Sequence, residues 1–229
     1  MTLHAALFDL DGTLIDTYDA HWHAWKTICA EYGVDVTAER FSRSFGRTNP
    51  PIIRDLWKEC GLAEPDSQLI QDIADKKESM FRTILSDDFK PMAGATDLIR
   101  SLHAHGWAIG IGTSAPRANL EQGVEGLGIR DVLAAATCGD DVTHGKPDPE
   151  VFTLCAEKIG VQPHQCVVIE DAAAGIEAAT RGGMPSIGFA SHGHTREELK
   201  DANIVIDALT DISANDFISL MTESTRPDA

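Results

Sequence analysis

Two aspartates near the start of the chain are spaced so that both can act on one atom. Asp9 and Asp11 follow the apolar run Ala5–Phe8 and precede Gly12. Residues i and i+2 of an extended segment point the same way, so both carboxylates can address a single substrate atom. Gly12 permits a turn that brings backbone N–H groups toward an anion. A carboxylate nucleophile beside a carboxylate that serves as acid and base would divide a displacement into two easier steps.

Further polar side chains follow other apolar runs or precede a predicted helix. They are Thr113, Ser114, Lys146, Glu170 and Asp171. In an open parallel sheet, ligands bind beyond the carboxyl ends of the strands, so we expect these side chains to converge with the two aspartates. Four carboxylates in one crevice would repel one another unless a cation joined them. Hard oxygen ligands suit Mg²⁺, which also binds phosphate, so the sequence predicts a Mg²⁺ site that draws on Asp9, Asp11, Glu170 and Asp171.

The elements that must position these residues alternate along the chain. Short apolar runs predict strands at 5–8, 107–112, 132–136, 166–169 and 185–189. Amphipathic patterns predict helices at about 94–105, 116–127, 149–159 and 172–182. Strands that alternate with helices predict a parallel sheet covered by helices on both faces. A further short helix is expected at 195–201, next to a loop that contains His192 and His194 without a metal-binding role.

The segment 17–88 interrupts this alternation, because it contains no credible strand and several helical patterns. Apolar stripes at helical spacing begin near His21, Asn49 and Ile70. We therefore expect an all-helical insertion at 17–88 in a core formed by residues 1–16 and 89–229.

The charge and composition exclude several classes of function. The 229 residues include 36 acidic side chains against 19 Lys and Arg, a formal net charge of −17. Nucleic acids and anionic membranes bind positive faces, so neither is expected as a partner.

The chain has no signal-peptide pattern and no run of about 18 apolar residues, so we expect a cytoplasmic protein. Its five cysteines form no CxxC pair, which predicts free thiols. A monomer is the simplest expectation.

Four motifs, in this order and spacing, resemble those of the haloacid dehalogenase-like superfamily. They are Asp9-x-Asp11-Gly12-Thr13-Leu14, Thr113-Ser114, Lys146-Pro147-Asp148-Pro149 and Glu170-Asp171-Ala172-Ala173-Ala174-Gly175-Ile176. The insertion at 17–88 resembles the α-helical cap of that superfamily, and the run His21-Trp22-His23-Ala24-Trp25-Lys26 is similar to the β-phosphoglucomutase-like phosphatases. The resemblance implies an α/β fold: a Rossmann-like parallel sheet core with an inserted all-α helical cap domain.

The resemblance also implies a role for each motif residue. Asp9 would attack phosphorus and form an aspartyl-phosphate, and Asp11 would protonate the leaving oxygen and then deprotonate the attacking water. Thr113 would hydrogen-bond the transferring phosphoryl group, with Ser114 as a further substrate-binding residue, and Lys146 would neutralise charge. Dehalogenases and phosphonatases lack the carboxylate at the place of Asp11. The presence of Asp11 in this chain indicates phosphate ester cleavage, because an alkoxide leaving group needs a proton.

The same resemblance implies a metal-dependent phosphatase. Mg²⁺ would be held by Asp9, the Asp11 carbonyl and Asp171, with Glu170 as a ligand or an outer partner. The expected substrate is a small phosphorylated metabolite, a sugar phosphate or a phosphoglycolate-like acid. Two alternatives stay open: a hexose-phosphate mutase with the same chemistry, and a non-catalytic phosphometabolite-binding protein.

The cap residues are expected to set specificity. His21 and Arg47 are candidates for substrate contact, and His21 also for contact with Asp11. In the mutase a similar cap loop carries an arginine for a second phosphate, whereas this chain has Asn49 there. We interpret Lys76 and Lys77 as a solvated helix face.

Overall fold

The computed structural model describes residues 3–223, and six parallel strands form one sheet in this part of the chain. They are β1 (Ala5–Phe8), β2 (Ala108–Gly112), β3 (Leu133–Thr137), β4 (Cys166–Glu170), β5 (Ser186–Phe189) and β6 (Ile204–Ile206). The order is β3-β2-β1-β4-β5-β6, and every neighbouring pair is parallel. The carboxyl end of β1 therefore lies between those of β2 and β4. The predicted strands agree with β1 to β5 within one residue at each end.

Nine α-helices accompany the sheet in the described residues. They are α1 (Tyr18–Ala30), α2 (Ala38–Ser44), α3 (Asn49–Glu59), α4 (Ser67–Asp87), α5 (Ala95–Ala104), α6 (Arg117–Leu127), α7 (Glu150–Ile159), α8 (Ala173–Arg181) and α9 (Ala214–Glu223). Helices α5 to α8 agree closely with the predicted ones. The sequence did not predict α2 or α9.

The two faces of the sheet pack into separate hydrophobic cores. In β1, Ala6 and Phe8 face a core that includes side chains of α5, α6 and α9. Ala5 and Leu7 face the opposite core, which includes side chains of α7 and α8. Alternate residues of a strand point to opposite faces, and strands buried on both faces have continuous apolar sequences. The predicted α/β fold with a parallel sheet is confirmed.

The helices α1 to α4 lie between β1 and α5 and enclose a third core. Trp25 of α1, Phe41 of α2 and Ile53 of α3 belong to it. Helix α4 contributes Ile73 to this core, whereas its later residue Phe81 belongs to the core beside the sheet. Helix α4 therefore connects the helical segment to the sheet through one buried face. The boundaries of the helical insertion at 17 and 88 stay a prediction.

Two details differ from the expected elements. Residues 195–201 form successive turns rather than a helix. Only Leu199 is buried there, so no apolar stripe holds a helix in place. Strand β6 has three residues, too few to give a periodic signal. The predicted core also includes residues 1–2 and 224–229, which lie outside the described part.

The remaining sequence-based expectations concern thiols and membranes. All five cysteines are free, as predicted. Among the helices within residues 3–223, none combines the length and the apolar character needed to cross a bilayer.

Candidate active site

A cavity lies between the carboxyl edge of the sheet and the helices α1 to α4. Of the predicted site residues, Asp9, Asp11, His21, Arg47, Thr113 and Ser114 line it. Water can occupy about 40 Å³ of this space. The cavity is therefore small. Lys146, Glu170 and Asp171 are buried beside Asp9, so the structure brings the strand-end residues together as the topology predicts.

Lys146 occupies the centre of the buried charged groups. Its Nζ lies 2.5 Å from Asp9 Oδ1 and 2.6 Å from Glu170 Oε1. Burial acts to lower the pKa of Lys146, but the two carboxylates outweigh it and raise that pKa above its ordinary value. The ammonium thus stays charged and fixes both carboxylates in place.

The negative charges of the carboxylates around Lys146 are only partly neutralised by its ammonium group. Burial raises the pKa of Asp9 to about 8, since the nearby Lys146 only partly offsets desolvation and repulsion from Glu170. Burial and the charges of Glu170 and Asp9 also raise the pKa of Asp171 well above its ordinary value. With all three buried carboxylates ionised, the one ammonium would leave two negative charges, which is why burial raises the pKa values of Asp9 and Asp171. That excess equals the charge of one divalent cation.

The shape of the carboxylate cluster also fits a cation. Asp9, Glu170 and Asp171 each offer one oxygen, and these oxygens lie within 4.8 Å of one another. Gly12 has φ +82°, and a Cβ there would lie 2.0 Å from Asp171 Oδ2. A Cβ at Gly175 would lie 1.9 Å from Glu170 Oε1. The two motif glycines therefore leave room for the carboxylates, and a set of oxygens alone suits a hard cation such as Mg²⁺.

Residues outside the predicted set orient Asp171. Ser191 Oγ donates to Asp171 Oδ2 at 2.9 Å, and Thr13 Oγ1 donates to Asp171 Oδ1 at 3.4 Å. Ser191 follows β5, and its place at the carboxyl edge of the sheet is the signal that could have identified it. The Asp11 side chain is not part of the cluster. Its expected metal contribution through the carbonyl stays a prediction.

The Asp11 carboxylate instead faces a histidine of the helical segment. His21 Nε2 lies 3.4 Å from Asp11 Oδ1, and Lys77 Nζ lies 2.8 Å from His21 Nδ1. An ammonium only donates, so Nδ1 accepts and the imidazole proton is on Nε2, toward Asp11. Burial and the charge of Lys77 lower the pKa of His21, which favours this neutral form.

The interpretation of Lys77 as solvated is wrong, whereas Lys76 is exposed as expected. Lys77 is 2% exposed and lies on the apolar stripe of α4 with Ile73 and Phe81. A lysine on such a stripe must find a partner because burying an isolated ammonium is costly. That pattern was the available signal. Lys77 meets the requirement through His21 and the neighbouring Glu78.

Glu78 is a buried residue that the sequence did not single out. Its Oε1 accepts from Lys77 Nζ at 2.7 Å and from Asn49 Nδ2 at 2.8 Å. Its Oε2 accepts from Asn119 Nδ2 of α6 at 2.6 Å. Burial acts to raise the pKa of Glu78, but Lys77 and the other donors lower it to about 2. Glu78 is therefore an ionised carboxylate that joins the helical segment to the sheet domain.

The other predicted binding residues line the same cavity. Thr113 is buried, and its Oγ1 accepts from the backbone N–H of Ala115 at 3.1 Å. Ser114 Oγ is buried without a hydrogen-bond partner. Arg47 forms an ion pair with Asp55 at 2.9 Å between Nη1 and Oδ2. Thr113 and Ser114 thus present hydroxyls to a ligand, whereas the Arg47 charge is already paired.

Comparisons with known proteins agree with this geometry. The family model described as haloacid dehalogenase-like hydrolase matches residues 6–189. The chain is 34% identical over 181 residues to fructose-1-phosphate phosphatase YqaB of Escherichia coli, covering 79% of this chain and 93% of that protein. It is 32% identical to validoxylamine A 7'-phosphate phosphatase of Streptomyces hygroscopicus, covering 90% and 94%. A crystal structure of β-phosphoglucomutase from Clostridium difficile has a TM-score of 0.88 at 24% identity, covering 97% and 98%. That last likeness concerns the fold.

Proposed function

The chain belongs to the haloacid dehalogenase-like hydrolase family, and we propose that it cleaves phosphate monoesters through a phosphoaspartate on Asp9. It is a phosphatase of that family. The observation that carries the proposed chemistry is the buried cluster in which Lys146 holds Asp9 beside Glu170 and Asp171. Phosphoryl transfer depends mainly on positioning and charge stabilisation, which such a cluster supplies.

The proposed substrate is a phosphorylated sugar or polyol. Relatives with about one third identity are named for fructose 1-phosphate and for validoxylamine A 7'-phosphate. Another relative, from Thermotoga maritima, is named a phosphorylated carbohydrates phosphatase. All three names describe monophosphate esters or phosphorylated carbohydrates, and the cavity of this chain offers hydroxyl and carboxylate groups to such a substrate.

In the first proposed step, an Asp9 carboxylate oxygen attacks phosphorus and the bond from phosphorus to the leaving oxygen breaks. Asp11 gives a proton to that oxygen. The Thr113 hydroxyl and the Lys146 ammonium hold the transferring group. In the second step, water attacks the phosphoaspartate, Asp11 accepts the proton of that water, and the Asp9 carboxylate is restored. The His21 Nε2–H orients Asp11 for both proton transfers.

Mg²⁺ is the proposed cofactor. Asp9, Asp171 and the Asp11 carbonyl would hold it, with Glu170 as a ligand or an outer partner. When bound, the ion supplies positive charge that offsets the charge of the substrate phosphate. This accounts for how a chain with net charge −17 binds an anionic ester.

We propose that residues 17–88 act as a mobile cap. The cavity offers water about 40 Å³, too little for a hexose phosphate, so substrate binding requires the helices α1 to α4 to move from the sheet. Closure then places His21 beside Asp11 and excludes bulk water from the reacting groups.

Hydrolysis and the mutase alternative predict different acceptors for the phosphoryl group. No observation specifically favours the mutase, because the Asn49 amide donates to Glu78 where a second phosphate would need a cation. The test supplies sugar monophosphates, Mg²⁺ and ¹⁸O-labelled water. We expect stoichiometric phosphate release with one ¹⁸O in each phosphate. Interconversion of hexose 1- and 6-phosphates faster than phosphate release would overturn the proposal.

A further inference from the structure

Three residues lie where the small cavity beside Asp9 meets a wider cleft at the surface. Asn49, Glu78 and Ser114 line both spaces, and we call this group the neck. The outer cleft has a volume of about 640 Å³. The neck is therefore the place where a part of the substrate that projects from the cavity beside Asp9 enters the outer cleft.

The cationic side chains on the cap side of the cavity are already paired. Lys77 Nζ donates to Glu78 Oε1 at 2.7 Å and to His21 Nδ1 at 2.8 Å. The Arg47 guanidinium is paired with Asp55 at 2.9 Å. Among the described residues that line this cavity, Lys77 and Arg47 are the cations of the cap. A second anionic group on a substrate would therefore find no cation that lacks a carboxylate partner.

The outer cleft has more carboxylates than cations. Asp75, Glu78 and Asp140 line it, against the single charged guanidinium of Arg82, counting only its described lining residues. Arg82 Nη1 donates to Asn119 Oδ1 at 3.0 Å. Part of the Arg82 guanidinium group therefore holds α4 against α6. An anionic leaving group would thus meet the Glu78 carboxylate at the neck and an excess of carboxylates beyond it.

The neck can still hydrogen-bond hydroxyl groups. Glu78 Oε2 accepts one hydrogen bond, from Asn119 Nδ2 at 2.6 Å, and a carboxylate oxygen has capacity for two. Ser114 Oγ is buried without a partner, which is uncommon for a polar atom, and a ligand hydroxyl would supply that partner. Donor and acceptor capacity without free positive charge is what an uncharged polyol requires.

We propose that Glu78 is a specificity-determining residue that excludes a second phosphate or carboxylate, so that the enzyme acts on monophosphates with an uncharged, hydroxyl-bearing leaving group. This inference rests on the proposed phosphatase function and states which esters that site accepts. Specificity of this kind comes from repulsion of the wrong ligand as well as from attraction of the right one. Ionisation of Glu78 is supported by its lowered pKa.

A purely structural role for Glu78 makes a different prediction. If the Glu78 carboxylate only neutralised Lys77, its loss would lower kcat/KM for all substrates by the same factor. If it excludes anions, its loss changes the ratio between substrates. The ratio of kcat/KM values is therefore the readout, rather than activity toward one ester.

The first experiment compares three esters that differ only at the far end: glucitol 6-phosphate, gluconate 6-phosphate and glucitol 1,6-bisphosphate. We expect kcat/KM with Mg²⁺ to fall at least about tenfold from the neutral ester to each anionic ester. Dissociation constants measured by calorimetry on Asp9→Asn with Mg²⁺ should follow the same order. Equal binding of the three ligands would overturn the inference.

The second experiment removes the negative charge of Glu78 or places a positive charge beside it. Glu78→Gln should reduce the discrimination against the two anionic esters at least about fivefold. Glu64→Gln is the matched control, because Glu64 is 81% exposed on its side chain and carries the same charge, and its ratios should stay within about twofold of the wild type. Asn49→Arg places a cation beside Glu78 while keeping the buried carboxylate, so it tests the charge even when Glu78→Gln fails to fold. It should also favour the anionic esters.

The outcomes separate the two proposals. Absence of phosphate release from every ester would contradict the proposed function, and the calorimetric series would then still decide the inference. Phosphate release with unchanged ratios in Glu78→Gln and Asn49→Arg would contradict the inference and leave the phosphatase function intact.

Discussion

At the scale of single residues, the proposed mechanism depends most on Asp9. Asp9→Asn keeps the shape of the side chain and removes the nucleophile, so kcat should fall at least about 10³-fold, in line with lost covalent catalysis. The measurement is steady-state phosphate release with a fixed Mg²⁺ concentration. Circular dichroism confirms that the variant is folded. Turnover near that of the wild type would exclude the covalent route.

Glu78 predicts a dependence of stability on pH. Its pKa is lowered from an ordinary 4.5 to about 2, so the folded state gains stability above pH 4.5, and that gain is lost as the pH falls toward 2. The shift corresponds to about 3 kcal/mol at most. Glu78→Gln should be less stable than the wild type at pH 6, and the difference between them should narrow steadily from pH 4.5 to pH 3 and vanish only toward pH 2. Urea unfolding at pH 6, 4.5 and 3 measures this, with Glu64→Gln as control, and parallel curves would contradict it.

The sequence predicted the strand-end residues better than the cap residues. Asp9, Thr113 and Lys146 could be assigned to one site because parallel strands end at one edge and the motifs are local. Lys77 and Glu78 could not, because their partners come from other helices whose packing is invisible in one sequence. The buried lysine was nevertheless marked by its place on an apolar stripe.

At the scale of elements, α4 connects the cap to the sheet. Its first half packs in the cap core and its second half beside the sheet. Asn119 of α6 donates to Glu78 and accepts from Arg82, both on α4. The sequence predicted α4 from its periodicity, but α2, with seven residues, was too short to give the same signal.

Asn119 should therefore contribute to the contact between α4 and α6. Asn119→Ala leaves Glu78 Oε2 and Arg82 without their partner, and a lost buried partner costs about 1–3 kcal/mol. The free energy of unfolding in urea should fall by that amount. Asn215→Ala changes an exposed asparagine on α9 and should shift stability by about 0.5 kcal/mol or less. Equal stability of both variants would show that α4 is held by apolar packing alone.

At the scale of the whole molecule, a net charge of −17 and a buried anionic cluster make the folded state responsive to cations. Two kinds of effect must be separated. Any salt screens the surface charges, whereas a divalent ion in the carboxylate cluster binds the folded state specifically and stabilises it by mass action. The distinction sets the design of the metal experiment.

Removal of metal should abolish activity and lower the melting temperature. We expect excess chelator to stop phosphate release, and Mg²⁺ to restore both activity and Tm, with NaCl of equal ionic strength as the control for screening. Ca²⁺ should raise Tm without restoring turnover, because its longer bonds and higher coordination number disturb the in-line geometry of attack. Asp171→Asn removes one carboxylate of the cluster and should reduce the Mg²⁺-dependent rise in Tm. Full activity in excess chelator, or a Tm that responds equally to NaCl and Mg²⁺, would exclude a metal site at Asp9, Glu170 and Asp171.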